Sequence, residues 1–106
     1  MSKVTYTVAA RFRDAALGAE WLRWLQDIHL AEVLAGGATD AEVVQIDGEE
    51  SYEVRYHFPS RAVFECYERD HAPRLRAEGL RLFPTEKGVT YRRTVGVVVA
   101  TRMTHP

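Results

Sequence analysis

The sequence predicts an α+β fold of β-α-β-β-α-β order, a four-stranded antiparallel sheet with two helices on one face. Three observations predict it. Val4, Tyr6, Val8, Ala10 and Phe12 alternate with Thr5, Thr7 and Arg11, the period of two of a half-buried strand. From Ala19 to about Ala35 apolar residues recur at helical spacing, until Gly36-Gly37 stops them. The segment AEVVQI, the pair Asp47-Gly48 and the segment ESYEVRYHF then read as a hairpin with a two-residue turn.

The remaining elements complete the order. Tyr52, Val54, Tyr56 and Phe58 share one side of the return strand. Pro59-Ser60 opens a second helix with Ser60 as its N-cap. Pro73 would remove a hydrogen bond inside a helix, so that helix ends or kinks near residues 70–72 and restarts from Pro73 to about Gly79. VTYRRTVGVVVA is the last strand, and residues 101–106 form a loose tail. This is the ferredoxin-like arrangement, with the first and third strands central and a single domain over residues 1–106.

Register and pleat assign the faces. A two-residue turn sets Ile46 opposite Glu49, Val44 opposite Ser51 and Val43 opposite Tyr52. Ala41, Val43, Tyr52 and Val54 then face the helices, whereas Val44 and Ile46 face away. In the last strand Val95, Val97 and Val99 face the helices, while Val98 and Ala100 point away. The helix-free face mixes these apolar residues with Thr7, Arg11, Glu53, Arg55, His57 and Arg92. Such a mixture suits a partner sheet, so a homodimer packed sheet to sheet, a dimeric α+β barrel, is expected. The alternative is a monomer with stray surface valines.

Composition excludes several function classes. A net charge of −1 and the absence of a basic run leave no electrostatic footprint for nucleic acid. Arg74, Arg76 and Arg81 are interleaved with Glu78 and read as a solvated helix face. No apolar run reaches the roughly 18 residues of a membrane span, and MSKVTYTVAARF has no signal-peptide core. A cytoplasmic protein with no membrane partner is expected. Cys66 is the sole cysteine and, beside Val63, Phe64 and Tyr67, reads as buried and inert. Four scattered histidines offer no metal-binding pair, and no glycine-rich phosphate loop is present, so neither metal nor cofactor is expected.

The candidate site lies in WLRWLQDIHLAEVLAGG. On a helical wheel Trp21, Trp24, Leu25 and Ile28 define an apolar arc centred close to Glu32, with His29 on its flank. A glutamate there is costly unless it is paired or faces a cavity. His29 and Glu32 are three residues apart and can meet across one turn, giving a general base and its orienter. However, Leu30, Val33 and Leu34 lie on the other side of the wheel, so the helix shifts or breaks near Leu30. Glu32 would then swing to solvent and His29 would cap the first piece. Trp24, Tyr52 and Tyr56 would line a ligand pocket between sheet and helices. His71 either joins them by facing the sheet near Tyr56 and Phe58 or caps the helix before Pro73.

The stretches EWLRWLQDIHLAEVLAGG and ERDHAPRLRAEGLRLF together resemble a family of short bacterial proteins known only as a domain of unknown function. The likeness covers nearly the whole chain, although the proline that commonly follows the histidine in that family is absent at Leu30-Ala31. The resemblance implies the dimeric α+β barrel superfamily and no established activity. That superfamily includes cofactor-free monooxygenases, muconolactone-isomerase-like enzymes, haem-degrading enzymes and ligand-binding or regulatory modules. Three functions follow as expectations. The first is a homodimer that binds a small aromatic or carbonyl-containing molecule. The second is a non-catalytic structural or regulatory dimerisation module. The third is a cofactor-free monooxygenase- or isomerase-like enzyme with His29 as base.

Overall fold

A computed structural model describes residues 2–104. Strand β1 (Val4–Phe12) leads into helix α1 (Ala15–Trp24), a π-helical turn (Leu25–His29) and helix α2 (Leu30–Ala35). Strands β2 (Asp40–Gln45) and β3 (Ser51–Phe58) follow, then helices α3 (Arg61–Asp70) and α4 (Ala72–Leu82), a 3₁₀ turn (Thr85–Lys87) and strand β4 (Val89–Val97). The sheet order is β2-β3-β1-β4 with every neighbouring pair antiparallel, so β1 and β3 are central as predicted.

Local chemistry sets the boundaries. The Asp14 carboxylate caps α1 by accepting from the Leu17 N–H at 2.9 Å, and the Ser60 hydroxyl caps α3 by accepting from the Val63 N–H at 3.3 Å. Pro73 is accommodated in the first turn of α4, where its missing N–H costs nothing, so α4 starts at Ala72 and continues past Gly79 to Leu82. The core lies between the sheet and the helices and includes Val4, Tyr6, Phe12, Trp21, Leu25, Val33, Val54, Tyr56, Phe58, Phe64, Tyr67 and Leu75.

The hairpin departs from the predicted turn. Val43 pairs with Val54, Val44 with Glu53 and Gln45 with Tyr52, so Asp47–Glu50 is a four-residue connection. The register moves by two residues on β3. Because the pleat also repeats every two, each side chain keeps the face predicted for it. Val44 shares the helix-free face with Glu53, Arg55 and His57.

Three other expectations are corrected. The strand β4 ends at Val97, and only the Val98 N–H extends the ladder, to the Lys3 carbonyl at 2.9 Å. Val95 and Val97 lie on the helix side by register but remain 42% and 44% exposed, because the helix layer does not extend over this end of the edge strand. Val99 and Ala100 lie outside the sheet and are exposed. Cys66 is exposed, not buried. Phe64 and Tyr67 form the buried stripe of α3, and Cys66 is two positions from Phe64, about 200° around the helix. Of the expected tail, residues 101–104 have no regular structure and 105–106 lie outside the described residues. Among the described residues no helix is long and apolar enough to cross a membrane.

Candidate functional site

The π-helical turn explains where His29 and Glu32 go. Its signature is the Leu30 N–H donating to the Leu25 carbonyl, one residue farther back than in an α-helix. Accommodating an extra residue sets every later side chain back by about 100°. On an uninterrupted wheel Val33 would lie about 80° from Leu25, and the bulge returns it to within about 20°. Val33 is indeed fully buried beside Leu25 in the core. The same displacement of about 100° carries Glu32 to roughly 120° from Leu25. Its carboxylate is partly exposed and accepts from the Arg74 guanidinium at 3.0 Å. Glu32 therefore does not orient His29, and Ile28, 47% exposed, leaves the apolar arc as well.

His29 stays inward. Its ring stacks on Trp24 with centroids 4.6 Å apart and planes 26° from parallel. Burial is the main cause that lowers its pKa from 6.5 to about 4; Glu32 opposes the shift and Arg93 adds to it. The imidazole is accordingly neutral at pH 7.

His29 lines a cleft between the helices and strands β1, β3 and β4. Trp21, Trp24 and Leu25 form one wall, Leu75, Arg76, Gly79 and Leu80 a second, and Tyr6, Val8, Tyr56, Tyr91 and Arg93 the floor. Its volume is about 40 Å³. Three buried side-chain polar atoms have no hydrogen-bond partner among the described residues: Trp24 Nε1, His29 Nδ1 and Arg76 Nε. All three belong to residues of this one lining. Each such atom costs about 1–3 kcal/mol when left unpaired, so their concentration in one place is the strongest sign of a site.

Phenols supply the remaining polarity. The Tyr6 hydroxyl accepts from Arg76 at 3.2 Å, and the Tyr91 hydroxyl donates to the Phe83 carbonyl at 2.9 Å. The Tyr56 and Tyr67 hydroxyls have no protein partner among the described residues and are not among the sealed-off atoms, and both residues line the cleft. Burial raises the pKa of both, and pushes Tyr91 up to about 12. All three are neutral hydrogen-bond donors at pH 7.

Of the predicted site residues, the structure brings together Trp24, His29 and Tyr56. Tyr52 is elsewhere, packed against Phe12 and Trp21 at centroid distances of 6.1 and 5.9 Å. His71 sits at the junction of α3 and α4, stacked on Tyr67 at 6.3 Å, outside the cleft and making no side-chain cap. Arg76 and Arg93 are absent from the predicted set. Arg76 is half-buried, bonded to Tyr6 and Glu68, and is not part of a solvated helix face. Arg93 had a legible signal, since it interrupts the apolar row Val89, Tyr91, Val95, Val97 on the helix side of β4. Among the described residues no cluster of three or more metal-binding side chains occurs.

No curated protein matches the sequence. Among solved structures, a dimeric ferredoxin-like protein from an uncultured marine organism superposes with a TM-score of 0.75 at 17% identity, over 96% of this chain and 100% of that one. A monooxygenase of Streptomyces coelicolor, solved with nanaomycin D, gives a TM-score of 0.75 at 9% identity over 98% of this chain and 94% of that one. SnoaB, a cofactor-independent oxygenase from Streptomyces nogalater, gives 0.62 at 14% identity over 100% and 99%. At these identities the likeness establishes the fold. Residues 3–98 match the family described as Domain of unknown function (DUF4286), and the chain belongs to that family.

Proposed function

We propose that the protein is a homodimer that takes a small aromatic or carbonyl-containing molecule into the cleft between sheet and helices. The observation that carries this reading is the gathering of three unpartnered buried polar atoms around one aromatic-lined cleft. Gly79 supports it. A glycine inside α4 costs about 1 kcal/mol relative to alanine, and a Cβ there would meet Trp24 at 3.5 Å, an ordinary contact. The missing side chain keeps space open over Trp24. A cavity of about 150 Å³ holds benzene, whereas this cleft measures about 40 Å³. A ring therefore enters only as the exposed lining residues Leu80 and Arg93 move outward.

In the enzymatic form of this proposal, His29 is the general base, free of its proton at neutral pH, and removes a proton beside a carbonyl or from a phenol. The oxygenases named among the structural neighbours fit that form. The small cleft and the diversion of Glu32 to Arg74 favour the second reading, a non-catalytic dimerisation module. Titration with benzamide, followed by tryptophan fluorescence, separates the two. Saturable quenching in wild type that is abolished in Gly79→Leu, with the melting temperature unchanged or raised, is the result expected of a ligand site. No quenching leaves the dimerisation module.

The helix-free sheet face is the proposed dimer surface. Val44 and Ile46 are half-buried there, among the pairs Arg55–Glu53 at 2.9 Å, Arg55–Glu42 at 3.6 Å and His57–Asp40 at 3.1 Å. The Arg55 charge is matched within one chain by Glu53 and Glu42, so a second sheet can cover it without stranding it. Light scattering at micromolar concentration should return twice the 12.1 kDa chain mass, and Val44→Glu with Ile46→Glu should return a monomer. A monomeric wild type would rule the dimer out.

A further inference from the structure

We propose that the ligand of the cleft is a small organic monocarboxylate, with a compact aromatic or apolar body, whose charge is met by Arg93. This rests on the cleft being a ligand site at all. The lining contains two arginines and no aspartate or glutamate. Arg76 is already committed, to Glu68 at 2.6 Å and to the Tyr6 hydroxyl at 3.2 Å. Arg93 makes no ion pair among the described residues, and its recorded partner is the Tyr91 ring, 5.7 Å from the guanidinium carbon. It is an exposed cation at the edge of an apolar cleft, placed by β4 on the helix side of the sheet opposite Val8.

The other polar groups point the same way. Tyr56 and Tyr67 offer neutral hydroxyl donors with no protein partner among the described residues, and two of the helix glutamates are held by arginines, Glu68 by Arg76 and Glu32 by Arg74. A lining of donors and one unpaired cation recognises an acceptor-rich anion and repels a cation. Guanidinium and carboxylate match in a planar, two-point geometry that lysine does not provide. Leu75, Leu80, Val54 and Leu25 complete the apolar surroundings for the body of the molecule. Arg93 also faces the helices, away from the proposed dimer surface, so its availability does not depend on assembly.

The test compares benzoate with benzamide, which has the same ring and no charge, at pH 7.5 by tryptophan fluorescence. Wild type should bind benzoate at least tenfold more tightly than benzamide. Arg93→Gln should bring the two affinities together by weakening benzoate binding, with the melting temperature unchanged, and Arg93→Lys should restore part of the preference. Equal affinities in wild type would overturn the anion preference and leave the cleft as a site for neutral molecules. A preference that survives in Arg93→Gln would overturn the role of Arg93. Binding of neither compound would overturn both this inference and the proposal beneath it.

Discussion

Lowering the pH from 7 to 4 should remove up to about 3 kcal/mol of folding stability from wild type, and His29→Leu should abolish most of that loss. The folded-state pKa of His29 lies near 4 and the unfolded value near 6.5. Between these values the unfolded chain takes up a proton that the native state refuses, so stability falls as pH falls from about 6.5 to about 4. Below about 4 both states are protonated and this loss is complete. Asp40 and Asp70 are held below the ordinary carboxylate range, by the Thr39 hydroxyl and the Arg69 guanidinium respectively, so their titration falls under this window. Urea melts of both proteins across pH 4–7 provide the check. Parallel curves would mean that His29 is not the buried, neutral imidazole described above.

Gly37→Ala should destabilise the fold by about 2–4 kcal/mol, lowering the melting temperature by roughly 10 °C or more. Two effects combine. The φ of Gly37 is 128°, a region that side-chain-bearing residues avoid, and a Cβ would stand 2.8 Å from the Val63 side chain. Gly48 isolates the first effect, because its φ is 77° and nothing lies within 4 Å of its Cβ position. Gly48→Ala should therefore cost only about 1 kcal/mol. Thermal melts of both variants decide it, and equal losses would mean that the Val63 contact relaxes freely.

The elements were legible because alternation and helical spacing are properties of the chain alone. Val4 to Phe12 and Tyr52 to Phe58 needed no tertiary information to be read as strands. The faces of β2 and β3 are legible whichever of the two hairpin turns forms, because the registers differ by an even number of residues. What the pattern could not carry was a change of helical pitch. A wheel drawn at a constant angle centres the buried stripe on Glu32, yet Leu30 and Val33 on the opposite side already conflicted with it. The π-helical turn reconciles them. Side chains that meet across the sheet were equally out of reach, since Tyr6 faces Tyr56 only through the β1–β3 register. Tyr52 shares a strand face with Tyr56 but lies four residues along it, beside Phe12 and Trp21. The exposure of Cys66 is hidden in the sequence, because its apolar neighbours along the chain are not its neighbours around α3.

The widened turn at Leu25–His29 also bears on how such a protein could change by descent. A π-helical turn takes up one residue more than an α-helical turn, so it can absorb a difference of one residue in a helix whose two ends are held by packing. Trp21 and Leu25 anchor one end in the core and Val33 the other, so the extra residue must be absorbed between them. The insertion point is the very place from which His29 enters the cleft. A one-residue gain or loss there would exchange the side chain presented to the cleft while leaving both anchors seated. Relatives built on this scaffold are thus free to differ by one residue within this turn, and so to acquire a different polar group at the same wall without redesigning the helix.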